Sequence, residues 1–483
     1  MNKTRIFLLA AVCTALTAGA VAFIATRGSG DAYLNSLPKE VNALARLDSK
    51  ELIAEADLSL RDVLKILSRS QDSDDNVQLG INMKQPVYGF VSTSSNFGLT
   101  AAVKSEKDLT AFCESLNAQG QASELISQRG YSWVVVQQQW LLAFDSKKAL
   151  AMGPAVGAAQ DQLRAEMAQL LEQDKADSGR ESELFTALKN REEPLAAIVA
   201  PEILPANAKN TLRKLKVASR ADALLCLALE ADDNELELET QVLAQSDQVK
   251  EQLKSINEFL RPIKGTMIEH AHAENVAWMA MNVQGQELLE TLRSNESVRA
   301  ALLIMNFIID LDRIISSVDG DVAVELTDAS SLKSGQVDAS QLKNLYVTAQ
   351  VANTDFLAGA ASWGNKLVGV QTLSEKDFAV NLGNASMYFG VDDKIFYLGA
   401  QQGLPSEKNE YLREESRDIK GARFFATFAI PTLLEQTGIA SQLPFSLPSF
   451  ERLNLEMEDA GEFHLTLVAP KGTNIIQEIL LAE

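Results

Sequence analysis

Chemistry needs nucleophilic, titratable or metal-ligating groups at set spacings, and this chain of 483 residues carries three histidines and three cysteines among them. His270 and His272 fall in EHAHAE, residues 269–274. On an extended backbone His270, His272 and Glu274 would share one face and present two imidazoles and a carboxylate to a divalent metal. No further His or Cys lies nearby in sequence to complete the set, so the segment reads as a solvated linker. His464 sits in EFHLTL, on the face of a strand opposite Phe463 and Leu465, and reads as a surface residue.

Nucleophile motifs are no stronger. There is no Gly-x-Ser-x-Gly elbow, and Ser-x-x-Lys occurs at Ser36/Lys39, Ser330/Lys333 and Ser340/Lys343 without the companion motifs that give it meaning. Neither a phosphate-binding glycine loop nor a dinucleotide fingerprint is present. DSDDN (72–76) and VDGDV (318–322) lack the spaced ligands and closing Glu of a calcium loop, so both read as polar turns. Two carboxylates flanking a glycosidic bond would suffice for hydrolysis, but spacing alone does not select a pair from 65 acidic residues. We therefore expect no catalytic residues, no metal and no cofactor.

Among the elements that carry these side chains, LLCLALEADDNELELETQVL (224–243) reads as a hairpin. Leu225, Leu227 and Leu229 alternate with Cys226, Ala228 and Glu230; after an acidic turn, Leu236 and Leu238 alternate with three glutamates. One dry face and one wet face are expected. LNLEMEDAGEFHLTLVA (453–469) repeats the device, with Gly461 at the turn and Phe463, Leu465 and Leu467 pointing inward. Each hairpin follows a strand-to-helix unit, LAAIVAPEILP or RFFATFAIPTLLEQTG, and leads into a helical pattern. Upstream of each runs a longer series: a strand and helix, a second helix, a hairpin, a helix, and an apolar hairpin closing on Gly153-Pro154 or Gly403-Leu404-Pro405.

The order is long unit, short unit, long unit, short unit. It predicts an α+β protein built by tandem duplication, each half an antiparallel sheet with helices on one face. The expected domains are an N-terminal segment at 1–30, a first half at 38–265 and a second at 273–483. Residues 158–190 are an unmatched polar helical insertion in the first half, expected as a solvated surface helix.

Two hairpins break the wet-and-dry rule. In 131–144, Tyr131, Trp133 and Val135 oppose Val134 and Val136; in 385–400, Met387 and Phe389 oppose Tyr388, and Tyr397 opposes Phe396 and Leu398. Strands apolar on both faces need cover on both. They are either a central pair covered within their own half, or the wall of a contact or partner groove. In the second case Tyr131, Trp133, Tyr388 and Tyr397 are the candidate contact residues.

Lys3 and Arg5 precede an uncharged run from Ile6 to Thr26, about 30 Å long as a helix and thus enough to span a bilayer core. Positive charge on the short N-terminal side keeps that side cytoplasmic and exports the rest. The run reads as an anchor holding the body in the periplasm, or as a removable signal with a small-residue site at Ala18-Gly19-Ala20. Cys13 lacks the small preceding residue of a lipoprotein site. Net charge is −21, and setting aside the three basic residues of 1–30 leaves −24 for the remainder. So acidic a body is repelled by nucleic acid and by anionic lipid surfaces. Cys113 and Cys226 fit apolar positions and read as buried free thiols.

The lead into the first long unit, YLNSLPKEVNALARLDSKELIAEADL (33–58), resembles domain-of-unknown-function family 4836, which comprises Bacteroidota cell-envelope proteins. The exported N-terminus, the Leu-Pro-Lys phrase, the strand ending in Asp and the Gly-Pro stop carry the resemblance, which covers most of 33–483. It implies a location and a fold; it brings no catalytic residues, because none are established for the family. The expected function is an exported envelope protein acting as a non-enzymatic binding or assembly module, its partner an envelope protein or a glycan, with membrane contact through residues 6–26. Its rivals are a glycan-directed hydrolase using unidentified carboxylates and a structural periplasmic spacer.

Overall fold

The computed structural model describes residues 31–48, 80–232, 234–294, 299–300, 302–303, 306, 310–330, 344–360, 370–382, 385–438 and 450–476. The expected anchor at 6–26, Cys13, the second helix at 60–70 and the DSDDN cluster lie outside these residues. So, in whole or part, do two of the Ser-x-x-Lys pairs and the helical patterns at 298–318 and 473–481. The chain divides into two compact units, Met1–Val249 with Lys471–Ala482 and Lys250–Pro470 with Glu483.

In the first unit the strands are β1 (Val41–Leu47), β2 (Val87–Ser92), β3 (Phe97–Ala102), β4 (Ile126–Gln128), β5 (Tyr131–Val136), β6 (Trp140–Phe144), β7 (Lys148–Gly153), β8 (Leu195–Val199), β9 (Ala223–Asp232) and β10 (Glu235–Ala244). The helices are α1 (Glu106–Ala118), α2 (Gln160–Glu172), α3 (Glu183–Lys189), α4 (Ala206–Lys214) and α5 (Asp247–Phe259), the last running on into the second unit. All strand pairings are antiparallel, in the order β10-β9-β8-β1-β2-β3-β7-β6-β5-β4.

Helices cover both faces of this sheet, not one. On one face α1 is started by Ser105, whose side chain accepts from the Asp108 amide, and it lays Leu109 and Cys113, four residues apart, against Val134, Phe144 and Ala149. Burial pushes the Cys113 thiol up to about 12. Cys113 and Cys226 are both buried free thiols. On the other face lie the turn Asp31–Ser36, α2 and α3. Residues 158–190 are therefore not a solvated decoration. Leu163, Met167, Leu170 and Leu171 are buried in the main core with Leu141, Leu150 and Met152, because a narrow apolar stripe on a mostly polar helix is enough to seat it.

The wet face expected for the first acidic hairpin also needs correction. Cys226 and Ala228 are buried in the core, while Leu227 and Leu229 are half-buried. Arg191 pairs with Glu239 and, at 2.5 Å, with Glu193, so protein occupies this face around Glu239, while Glu230 and Glu235 nearer the turn stay exposed. Between β5 and β6, Gln137 and Gln138 take φ 50° and 56°, the left-handed pair that a tight hairpin turn requires.

The second unit contains β11 (Leu260–Arg261), β12 (Ala277–Gln284), β13 (Val318–Leu326), β14 (Leu345–Val351), β15 (Val370–Thr372), β16 (Asp377–Leu382), β17 (Ala385–Asp392), β18 (Ile395–Gly399), β19 (Phe424–Ala429), β20 (Arg452–Met457) and β21 (Glu462–Val468). Its helices are α6 (Gly285–Ser294), α7 (Leu311–Ser316), α8 (Glu410–Glu414), α9 (Ser416–Ile419) and α10 (Ile430–Thr437). The sheet is again antiparallel, ordered β21-β20-β19-β12-β13-β14-β18-β17-β16-β15, with short β11 joining β12 at Val283 and Asn282.

One face packs Val283, Ile314, Val351, Phe356, Phe389 and Phe396. The other packs Trp278, Ala280, Ala323 and Phe425 beneath Ile263, Met267, Ile268, Leu412 and Ile419. VDGDV is not a polar turn. It opens β13, with a bulge at Gly320 (φ 142°) and Asp321 wholly buried. In the last hairpin Gly461 supplies the turn at φ 89°, but Phe463 is 43% exposed and the His464 side chain only 19%, the reverse of the expected alternation.

Candidate functional site

The polar groups of the second unit gather on and around β13. Strand alternation puts Asp321, Ala323 and Glu325 on one face, and Ala323 belongs to the core beneath the segment 262–275. Buried carboxylates are tolerated only when fully hydrogen-bonded, and both are. Asp321 accepts from the Lys264 amide at 2.9 Å, the Thr266 amide at 2.8 Å and the Asn282 side-chain amide at 2.8 Å. Glu325 accepts from the His272 amide at 3.1 Å and the Asn275 side-chain amide at 2.8 Å, and its Oε2 lies 2.8 Å from His272 Nδ1.

Two side chains thus satisfy the backbone donors of a strap that crosses the sheet without pairing as a strand. EHAHAE belongs to that strap and is not a solvated linker. Ala271 is buried, the His272 ring stands edge-on to Tyr346 at 4.7 Å, and Asn409 donates from Nδ2 to the His272 carbonyl while capping α8. His272 Nδ1 is engaged by Glu325, and no group of three metal-ligating side chains occurs among the described residues.

At the β15–β16 and β17–β18 turns lies an open hollow of about 650 Å³, lined by Ser374, Asp377, Asp392, Tyr397, Gln402 and Gly403 among others. Tyr397 donates to Asp377 Oδ1 at 2.7 Å, and Ser374 donates to Asp377 Oδ2 at 2.6 Å. Tyr346 donates to the Gly403 carbonyl at 2.8 Å and so pins the stop after β18. Burial, followed by the Asp377 hydrogen bond, pushes the Tyr397 phenol well above its ordinary range. It is a fixed donor, not an acid or base for neutral pH. The rim combines turn residues at 374–376 and 402–403 with Asp377, Asp392 and Tyr397 on β16, β17 and β18.

The four candidate contact residues fare differently. Trp133 is 3% exposed in the main core of the first unit, donating from Nε1 to the Gln128 carbonyl with Arg164 over its ring at 5.9 Å. Tyr131 is half-buried, its hydroxyl donating at 3.0 Å to the Leu171 carbonyl at the end of α2. Tyr388 is half-buried, and Tyr397 is fully buried behind the wall of the hollow, its hydroxyl taken by Asp377. For β5 and β6, cover comes from α1 and α2 of the same unit. Glu325 and Asp377 escaped sequence reading, and Asp321 enters it only within VDGDV, read as a polar turn. The one signal available was an acidic residue at either end of the otherwise apolar run DVAVEL, which spacing rules treat as a strand boundary.

The fold and these sites define an antiparallel α+β protein of two compact units, with shallow polar hollows and latched carboxylates in the second. The chain belongs to the family described as Domain of unknown function (DUF4836), whose model matches residues 33–428. Among solved structures, crystal form IV of TP0453 is similar at 14% identity and a TM-score of 0.27, covering 44% of this chain and 83% of that one. Crystal form III of TP0453 gives 12% identity and a TM-score of 0.29 over 47% and 88%. No curated protein matches the chain. Among the described residues, no helix is long and apolar enough to cross a membrane.

Proposed function

We propose that the chain is an exported cell-envelope protein that binds a partner, an envelope protein or a glycan, without chemical turnover. Residues 6–26 hold it at the membrane with its body in the periplasm, or direct its export if they are removed. The observation that carries the binding reading is the Tyr397 hollow: hydroxyl, amide and carboxylate groups on strands and turns, in a concavity of about 650 Å³. Such a rim suits the hydroxyls of a sugar or the polar edge of a peptide.

We also read the two units as copies of one design. Adding eleven to each strand number in the first sheet order reproduces the second, and the hairpins at 224–243 and 453–469 fall at the same end of both orders. The counterpart of the β5–β6 hairpin in that scheme is β16–β17, one strand earlier than the 385–400 pair matched from sequence.

Ligand titration of the full chain against envelope glycan fragments and peptides tests the reading. Saturable binding weakened about tenfold by Gln402→Ala or Asp392→Asn, about 1.4 kcal/mol, supports it. Binding indifferent to both variants sinks it, as does recovery of the body from the cytoplasm on fractionation. A hydrolase remains the second reading, because Glu375, Asp377 and Asp392 line the same hollow. Release of a cleaved product that stops in Asp392→Asn would favour it.

A further inference from the structure

Residues 203–221 carry five basic side chains, Lys209, Arg213, Lys214, Lys216 and Arg220, and no acidic one, in a chain of net charge −21. They contain α4, which has no buried residue. We propose that α4 and the turn after it form a lipid-facing surface, with Lys209, Arg213, Lys214 and Lys216 resting on the anionic headgroups of the leaflet beside the body. This inference rests on residues 6–26 being the membrane segment.

Four of the cations are not engaged inside the fold. Glu202 lies 3.9 Å from Arg220, and the other four make no ion pair among the described residues. Helix stability does not account for them. Arg213 and Lys214 complement the dipole at the C-terminal end of α4, but Lys209 stands a turn earlier, where a like charge four residues from Arg213 is unfavourable. Lys216 follows the helix at φ 61°. The Lys216 amide donates to the Arg213 carbonyl at 3.1 Å and the Val217 amide to the Leu212 carbonyl at 3.0 Å, a closure that favours glycine where this lysine stands. Half-buried Ala208, Leu212 and Leu215 recur at helical spacing, while Arg213, Lys214 and Lys216 stay exposed.

An exposed helix offers no concavity to a small ligand, so the partner presents its charge over a surface. Placement selects the leaflet as that surface. The Ala200 amide donates to the Asn42 carbonyl at 2.8 Å, and the Arg220 side chain donates to Asn42 Oδ1, so both ends of the basic segment are tied to the start of β1. That is the end at which the chain enters the sheet. Asp31, where the described body begins, lies five residue steps after Thr26, where the uncharged run ends, a reach of at most about 17 Å. Basic residues beside a membrane segment are the ones an anionic leaflet attracts, and the acidic remainder of the body is turned away by the same surface. The second unit lacks the feature: α10 follows β19 as α4 follows β8, and residues 430–450 contain no Lys or Arg.

The test is amine-reactive labelling of the full chain, read lysine by lysine, on vesicles of phosphatidylcholine alone and of an equal mixture with phosphatidylglycerol. Lys107, exposed on α1, is the internal reference. We expect Lys209, Lys214 and Lys216 to label about threefold or more slowly on the anionic vesicles, Lys107 to be unchanged, and the difference to vanish at high salt. Charge reversal by Arg213→Glu with Lys214→Glu should remove the protection of Lys209 and Lys216, with the thermal midpoint as a control on folding. Flotation with the neutral vesicles reports on residues 6–26 alone, so failure of the membrane segment is seen separately. Equal labelling on both vesicles overturns the proposal whether or not the chain floats, as does equal slowing at Lys107 or protection that survives the charge reversal. Polyglutamate in place of vesicles, if it protects the three lysines as strongly, overturns the lipid assignment in favour of an acidic polymer.

Discussion

Tyr397 and Gly390 face each other across the β17–β18 pair, and the phenol ring occupies the space that a Cβ on Gly390 would need. The added carbon would lie 2.8 Å from Tyr397 Cε1 and 2.6 Å from both the Lys376 carbonyl and Asp377 Oδ1. Phe90 covers Gly98 and Tyr346 covers Gly399 in the same manner. In each case an aromatic ring shields the bare backbone of a strand glycine. Gly390→Ala should therefore cost about 1–3 kcal/mol by overpacking, seen as a lower urea midpoint at unchanged slope. A change below ~0.5 kcal/mol would show that the ring moves aside freely.

The second prediction concerns α2. Met167 has no exposed surface and Leu171 is 1% exposed. Met167→Ala should cost about 2–5 kcal/mol, the range for truncating a buried long side chain. A surface helix would lose only a few tenths on the same change.

The miss at α2 shows what sequence pattern can and cannot carry. Element order and antiparallel pairing were readable, because apolar alternation and turn residues act locally: Ser105 caps α1, Gly461 turns β20 into β21, and Cys113 falls on a buried stripe. Burial on the second face of a strand is not local. Nothing near Cys226 or Ala228 announces that α2 and α3 complete the core on that side. The latches were hidden for the same reason. Asp321 and Glu325 look like solvated ends of an apolar run until a segment about fifty residues upstream brings its amides to them. Of the contact residues expected from sequence, Tyr397 and Trp133 are both buried, Tyr397 behind a hollow and Trp133 in the main core of the first unit.

His270 supplies a pH dependence with a definite sign. Burial lowers its pKa below the ordinary histidine value of about 6.5, against weaker opposing pulls from Glu269 and Asp392. The folded state therefore binds this proton less tightly than the unfolded chain does. Its contribution is intact above pH ~6.5 and is lost as pH falls from there toward the lowered folded value. Thermal midpoints between pH 7.5 and 5.5 should fall less in His270→Asn than in the parent. Parallel pH profiles would remove His270 from the account.

The last prediction isolates the Asp321 latch. Three donors converge on this one carboxylate: the backbone amides of Lys264 and Thr266, and the Asn282 side chain. Asp321→Ala strips the partner from all three at once. A buried donor left unpaired costs about 1–3 kcal/mol, so the loss should reach roughly 3 kcal/mol even if water enters to relieve part of it. Global stability alone would not separate a latch from a generic core defect, but amide exchange does. The Glu325 latch, which holds the His272 amide, is untouched by the substitution. Exchange should therefore accelerate at Lys264 and Thr266 well beyond any change at His272, because the strap lifts at one end and stays fastened at the other. Equal acceleration at all three amides would mean that the strap opens as one piece and that Asp321 holds no separate part of it. Unchanged protection at Lys264 and Thr266 would mean that the carboxylate is not their anchor at all.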